Sequence, residues 1–191
     1  MVRAPLERLE SMSGHIRRLG LALAAGLVSI TAAPAPAIAN DRAFFDRIEG
    51  QWSGPGRIIA GKYKGTKFSC DLRGSTTAAK PGMALDGKCR VGVFTQQISA
   101  VVEQDGRSYK GRFMDGADGK GLDVISGNVA DDRVTVAMER AELKGAMVAR
   151  VKPNGRLGVT VSVRVGDELV PVVGIDLSRS VDQRATGSLG R

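Results

Sequence analysis

The chain has 191 residues, a formal charge of +8 and only 4% aromatic residues, with 25 glycines and two cysteines. That length accommodates one ordinary domain plus a targeting segment. The single histidine is His15, so residues 40–191 hold no imidazole, which excludes Ser-His-Asp and Cys-His catalysis, the common His-ligated zinc sites and His-ligated haem from that part of the chain.

Residues 1–39 read as an export signal. Arg17 and Arg18 form a basic flank, Leu19 to Ala33 is an uncharged apolar run, and Ala37-Ile38-Ala39 is an A-x-A cleavage site. The run is shorter than the roughly 20 residues a membrane-spanning helix needs, and Pro34 and Pro36 break the chain just beyond it. Met12 offers an alternative start to Met1. No Cys sits directly after the cleavage site, which argues against a lipoprotein anchor. The residues flanking Arg17-Arg18 fit a twin-arginine signal poorly, so ordinary secretion is favoured. The expected location is the periplasm. Removing residues 1–39 leaves a basic domain, which favours anionic surroundings.

Asp41 to Ile48 is expected to form a short helix, capped by Asn40 or Asp41 and stopped by Gly50. Period-2 patterns then run almost without break. The first strand covers about Gln51 to Ala60 and the second about Tyr63 to Leu72. Ser75 to Gly82 is a polar loop, and the third strand covers about Ala84 to Phe94. Cys70 and Cys89 fall on the apolar faces of the second and third strands. In an oxidising compartment they are expected to form a disulfide, against the alternative of two free thiols.

A fourth strand covers about Gln97 to Glu103, and Asp105-Gly106 signals a tight hairpin. The fifth carries Tyr109, Gly111 and Phe113 on one face. Asp115 to Gly121 is a loop whose spacing does not match a calcium-binding pattern. The sixth strand covers about Leu122 to Val129, the seventh Val134 to Glu139, and the eighth Ala146 to Lys152. Pro153-Asn154-Gly155 is a turn, and the ninth strand alternates Leu157, Val159, Val161, Val163 and Val165 inward. A tenth covers about Glu168 to Leu177, which ends the expected domain, 40–178. Residues 179–191 are polar and expected to be disordered.

No helical pattern separates these strands, so a parallel α/β sheet is disfavoured. The expected fold is all-β, an up-and-down antiparallel barrel of about 8–10 strands with a short N-terminal helix.

The stretch Gly50-Gln51-Trp52-Ser53-Gly54-Pro55-Gly56 has the form G-x-W-x-G-x-G and opens this meander. It resembles the calycin superfamily, which includes lipocalins, fatty-acid-binding proteins and nitrobindin-like barrels. The resemblance covers residues 41–178 in layout and the heptapeptide in motif. It implies that Trp52, with Gly50, Gly54 and Gly56, closes the barrel floor in a structural role. Nitrobindin-like haem proteins hold iron through a His that residues 40–191 lack, so no haem is carried over.

With no catalytic constellation, metal site or cofactor expected, the leading expectation is non-covalent binding of a small apolar molecule or lipid. Phe68, Leu85, Ile98, Tyr109, Phe113, Val136 and Val161 are the expected interior lining. The alternative is an envelope interaction protein, such as a hydrolase inhibitor, resembling the Inh-type metalloprotease inhibitors. Outward Lys67, Arg73, Lys88, Arg90, Lys110 and Arg112 could offer a basic outer face to an anionic envelope component or a protein. Nucleic acid is disfavoured, because no exposed aromatic runs are available for stacking.

Overall fold

In the computed structural model, residues 36–114 and 121–180 are described. A helix, α1 (Pro36–Asp46), precedes ten strands: β1 (Gly50–Ile58), β2 (Lys67–Thr76), β3 (Gly82–Val91), β4 (Phe94–Asp105), β5 (Ser108–Met114), β6 (Leu122–Ala130), β7 (Arg133–Arg140), β8 (Leu143–Lys152), β9 (Arg156–Val165) and β10 (Glu168–Arg179). Every neighbouring pair is antiparallel, and β10 returns to pair with β1, closing the barrel. Closure leaves no free sheet edge.

The strands form where the sequence alternates. In β7, Val134, Val136 and Met138 are buried while Arg133, Thr135 and Ala137 are less so. Tight turns join several of the strands. Gly106 begins the two-residue β4–β5 connection with a positive φ.

α1 is longer than expected. It begins at Pro36, a residue well suited to the first helical position because its missing N–H would have no partner there. The expected cleavage point after Ala39 therefore falls within the helix, while residues 1–35 lie outside the described part. Asp41 is no cap; it sits inside the helix, free to bond elsewhere. The last turn tightens through Arg47 N–H to Phe44 O and Ile48 N–H to Phe45 O. β2 begins at Lys67, which leaves Tyr63 in the exposed β1–β2 connection.

Phe44, Phe45 and Ile48 are fully buried and seal one end of the barrel. Of the connections at this end, 106–107, 131–132 and 153–155 are polar, and 77–81 carries Thr77 and Lys80 among small residues and Pro81. Arg47 reaches across to donate to the Asp131 carbonyl at 2.6 Å, which binds helix and turn together.

β10 extends past the expected limit at 178. Arg179 N–H donates to Gly155 O, and Ser180 N–H donates to Gln51 O. The Arg179 guanidinium lies 4.6 Å above the Trp52 ring. It donates to the carbonyl oxygens of Glu49 and Arg47, two acceptors just past the end of α1 that no helical N–H can satisfy. Residues 181–191 of the expected tail lie outside the described residues.

Cys70 and Cys89 are bonded and directly opposite in the β2–β3 register. Both lie on the inner face, as their alternation with charged neighbours requires.

Candidate functional site: an apolar interior cavity

The barrel interior is not filled. A cavity of about 380 Å³ runs from Phe45 and Ile48 at the helix end to Val91 and Gln96 at the other. Its volume lies within the range of small-molecule sites. Its wall is apolar, and Gln96, at the mouth, is the one lining residue with a polar amide side chain. Val91 and Gln96 are exposed as well as lining, so the cavity opens at the end remote from α1.

The motif Gly50 to Gly56 builds the closed end. Trp52 is 1% exposed, and its Nε1–H donates to the Ile48 carbonyl at 2.7 Å. This satisfies the one polar atom of an otherwise apolar plug. Gly50 sits at φ +114°, with the Arg179 guanidinium where a side chain would begin. That conformation favours glycine. A Cβ on Gly54 would strike the Asp176 carbonyl of β10, and one on Gly56 would strike the Phe68 ring. Gly56 thus makes room for Phe68 to lie against the inner wall.

Of the expected lining residues, Phe68, Leu85, Ile98, Phe113, Val136 and Val161 all face the cavity. Tyr109 does not line it. It points inward and is buried, but it sits beneath α1, its ring centroid 5.4 Å from that of Phe45. Its hydroxyl donates to Asp41 Oδ2 at 2.7 Å. The physical reason is that a buried phenol needs an acceptor, and Asp41 on the helix supplies it. Burial, then the hydrogen bond and the Asp41 charge, push the Tyr109 hydroxyl well above its ordinary value.

Phe45 and Ile48, which form the cavity floor, do not figure in the expected lining. Ile48 shares a partial apolar face of the predicted helix with Ala43 and Phe44, whereas Phe45 falls outside that face. Cys89, at the mouth half of β3, also borders the cavity.

No charged side chain is buried among the described residues. No buried side-chain polar atom among them is without a partner. Nothing in the wall is set up for proton transfer or nucleophilic attack; the arrangement can exclude water and hold apolar surface.

The expected basic patch is largely matched by acidic neighbours rather than uniformly basic. Arg90 pairs with Asp71 at 3.3 Å, Lys110 with Asp105 at 2.7 Å and Arg112 with Asp123 at 3.3 Å. The hydrogen bond and charge of Lys110 hold the Asp105 carboxyl below its ordinary value, and Lys110 is raised in turn. Lys88 stands opposite Asp71 and Arg73 opposite Asp86 in the strand register. Of the six expected patch residues, only Lys67 has no acidic cross-strand partner or ion pair among the described residues. Exposed pairs of this kind contribute little stability but cancel much of the face's field.

Among the described residues, no group of His, Cys, Asp and Glu side chains could hold a metal ion, and no helix is long and apolar enough to cross a membrane. The sequence matches no protein-family model and no curated protein at a significant level.

Proposed function

We propose that this chain is a binding protein that holds a small apolar molecule or a lipid acyl chain non-covalently inside its barrel. The observation that carries this reading is the open, apolar cavity of about 380 Å³. At ~30 Å³ per water-sized group, it has room for about a dozen heavy atoms. About ten methylenes transferred from water contribute about 8 kcal/mol. Association costs at least ~4 kcal/mol of that, leaving at most about 4 kcal/mol, an affinity in the millimolar range.

The missing imidazole in residues 40–191 supports a binding role over an enzymatic one. The closed ten-stranded barrel and the G-x-W-x-G-x-G segment support a place among the calycins. The Cys70–Cys89 disulfide supports an oxidising compartment, and with the signal-like residues 1–39 it supports the periplasm. An inhibitor-type interaction protein would need no cavity, and the acidic partners of Arg73, Lys88, Arg90, Lys110 and Arg112 weaken the case for a basic docking surface on that patch.

Native mass spectrometry of protein purified from its own envelope, and uptake of a fluorescent medium-chain fatty acid, test the reading. Retained or acquired ligand mass supports it. A bare polypeptide mass together with no uptake would sink it.

A further inference from the structure

The two ends of the barrel differ in chemistry. Ten large hydrophobic residues are exposed among the described residues, and eight of them sit at the open end: Ile59, Tyr63, Val91, Val93, Phe94, Leu143, Val165 and Leu169. The connections at the helix end present none. Val93 is 91% exposed, Phe94 78%, Tyr63 63% and Val165 61%. These values are high for large apolar side chains.

Seven of the eight come from three connections that neighbour one another round the rim: β9–β10, β1–β2 and β3–β4. Hydrogen bonds define the β1–β2 connection. Ile58 N–H donates to Thr66 O, Gly65 N–H to Ile58 O, and Ile59 N–H to Val172 O on β10. The β3–β4 turn places Gly92 and Val93 between the paired residues Val91 and Phe94. Its apolar tip therefore projects past the last ladder bond, where no strand can cover it.

Basic residues flank this arc. Arg57, Lys62, Lys64 and Lys67 surround the β1–β2 connection, and no carboxylate occurs between Glu49 and Asp71. None of the four has an ion-pair partner among the described residues. Arg90 and Arg164 border the other two connections, against Asp167 and Glu168. Apolar tips with a cationic surround match the two layers of an anionic bilayer surface, acyl chains beneath negative head groups.

We propose that the open rim docks on an anionic lipid surface, with Val93, Phe94 and Tyr63 entering the interface and Arg57, Lys62, Lys64 and Lys67 over the head groups. These seven contact residues lie outside the cavity lining, and docking does not depend on the cavity being loaded. Docked this way, the mouth would face the membrane.

Vesicles test it directly. The purified protein should sediment with vesicles of phosphatidylglycerol and phosphatidylcholine in equal parts, and not with phosphatidylcholine alone. Salt at about 1 M, where the screening length is near 3 Å, should release it. Val93→Ser with Phe94→Ser, and separately Lys62→Glu with Lys64→Glu, should each weaken partitioning about tenfold or more. All are exposed, so the fold should survive, which circular dichroism checks. Phe94→Trp adds a rim fluorophore distinct from buried Trp52, and its emission should shift to the blue on anionic vesicles. Ala100→Leu, which alters the cavity and not the rim, should leave vesicle binding intact; a failed ligand test would therefore not touch this result. Absence of binding to anionic vesicles would overturn the proposal, as would equal binding by the rim variants. So would a vesicle-free dimer lost on Phe94→Ser, which would assign the rim to a second copy of the chain.

Discussion

Filling the cavity should stabilise the empty protein and weaken its ligand binding at once. Ala100 is the natural site, because it lines the cavity and lies between Leu85 on β3 and Phe113 on β5. Ala100→Leu adds three carbons. At ~0.8 kcal/mol per buried carbon, transfer out of water contributes about 2.4 kcal/mol. Fixing the leucine rotamer costs about 0.5–1 kcal/mol. The cavity-volume coefficient of ~24 cal/mol per Å³, applied to three groups of ~30 Å³, gives a similar gross figure near 2 kcal/mol. The expected net gain is therefore about 1.5 kcal/mol, or about 5 °C in Tm for a domain of this size. The same three carbons displace ligand. Losing three methylenes' worth of site should weaken a long acyl probe by about 2 kcal/mol, roughly thirtyfold. Urea denaturation and probe titration on the same preparation read both effects. The opposed signs are the diagnostic feature, since a cavity that serves binding costs stability. If Ala100→Leu destabilises by more than about 1 kcal/mol, the interior is already packed at that point. If probe affinity is unchanged, the ligand does not occupy this cavity. Either result refutes the reasoning.

Three further predictions rest on the closed end and the disulfide. In a Tyr63→Phe protein the only phenol is Tyr109, whose folded value is raised; its neutral, Asp41-bonded form contributes stability that is full below about pH 10 and lost as pH rises through the folded value. Absorbance near 295 nm should thus show no phenolate through the ordinary tyrosine range, and phenolate appearing there with the fold intact would contradict the lock. Arg179→Ala should cost about 2 kcal/mol, from two charged hydrogen bonds and the contact with Trp52; a loss under about 0.5 kcal/mol by chemical denaturation would show that the residue only trails from β10. Replacing Cys70 and Cys89 together by Ala should lower stability by about 3 kcal/mol on the chain-entropy account of a loop of this size, with the barrel retained by circular dichroism; an unchanged midpoint would refute that account.

Much of this fold is legible in the chain. Ten alternating patterns separated by Gly, Asp and Asn turns specify ten strands, because a strand's side chains alternate faces whatever surrounds them. The same alternation places Cys70 and Cys89 on the inner face, and six of the seven expected lining residues on the cavity wall. Those are local properties, read within ten residues of chain. The rest depends on which distant segments meet. Tyr109 alternates like its neighbours, yet it lies under α1, because only packing brings Asp41 within 2.7 Å of its hydroxyl. Arg179 reads as the start of a polar tail, yet it caps the helix end over Trp52, since closure of β10 onto β1 carries it there. Lys110 and Arg112 read as a basic stripe until the register sets Asp105 and Asp123 beside them. Whether the interior is filled or hollow is likewise undecidable from alternation. It depends on the volume that ten staggered strands enclose, less the side chains that project into it, and only the closed barrel defines that difference.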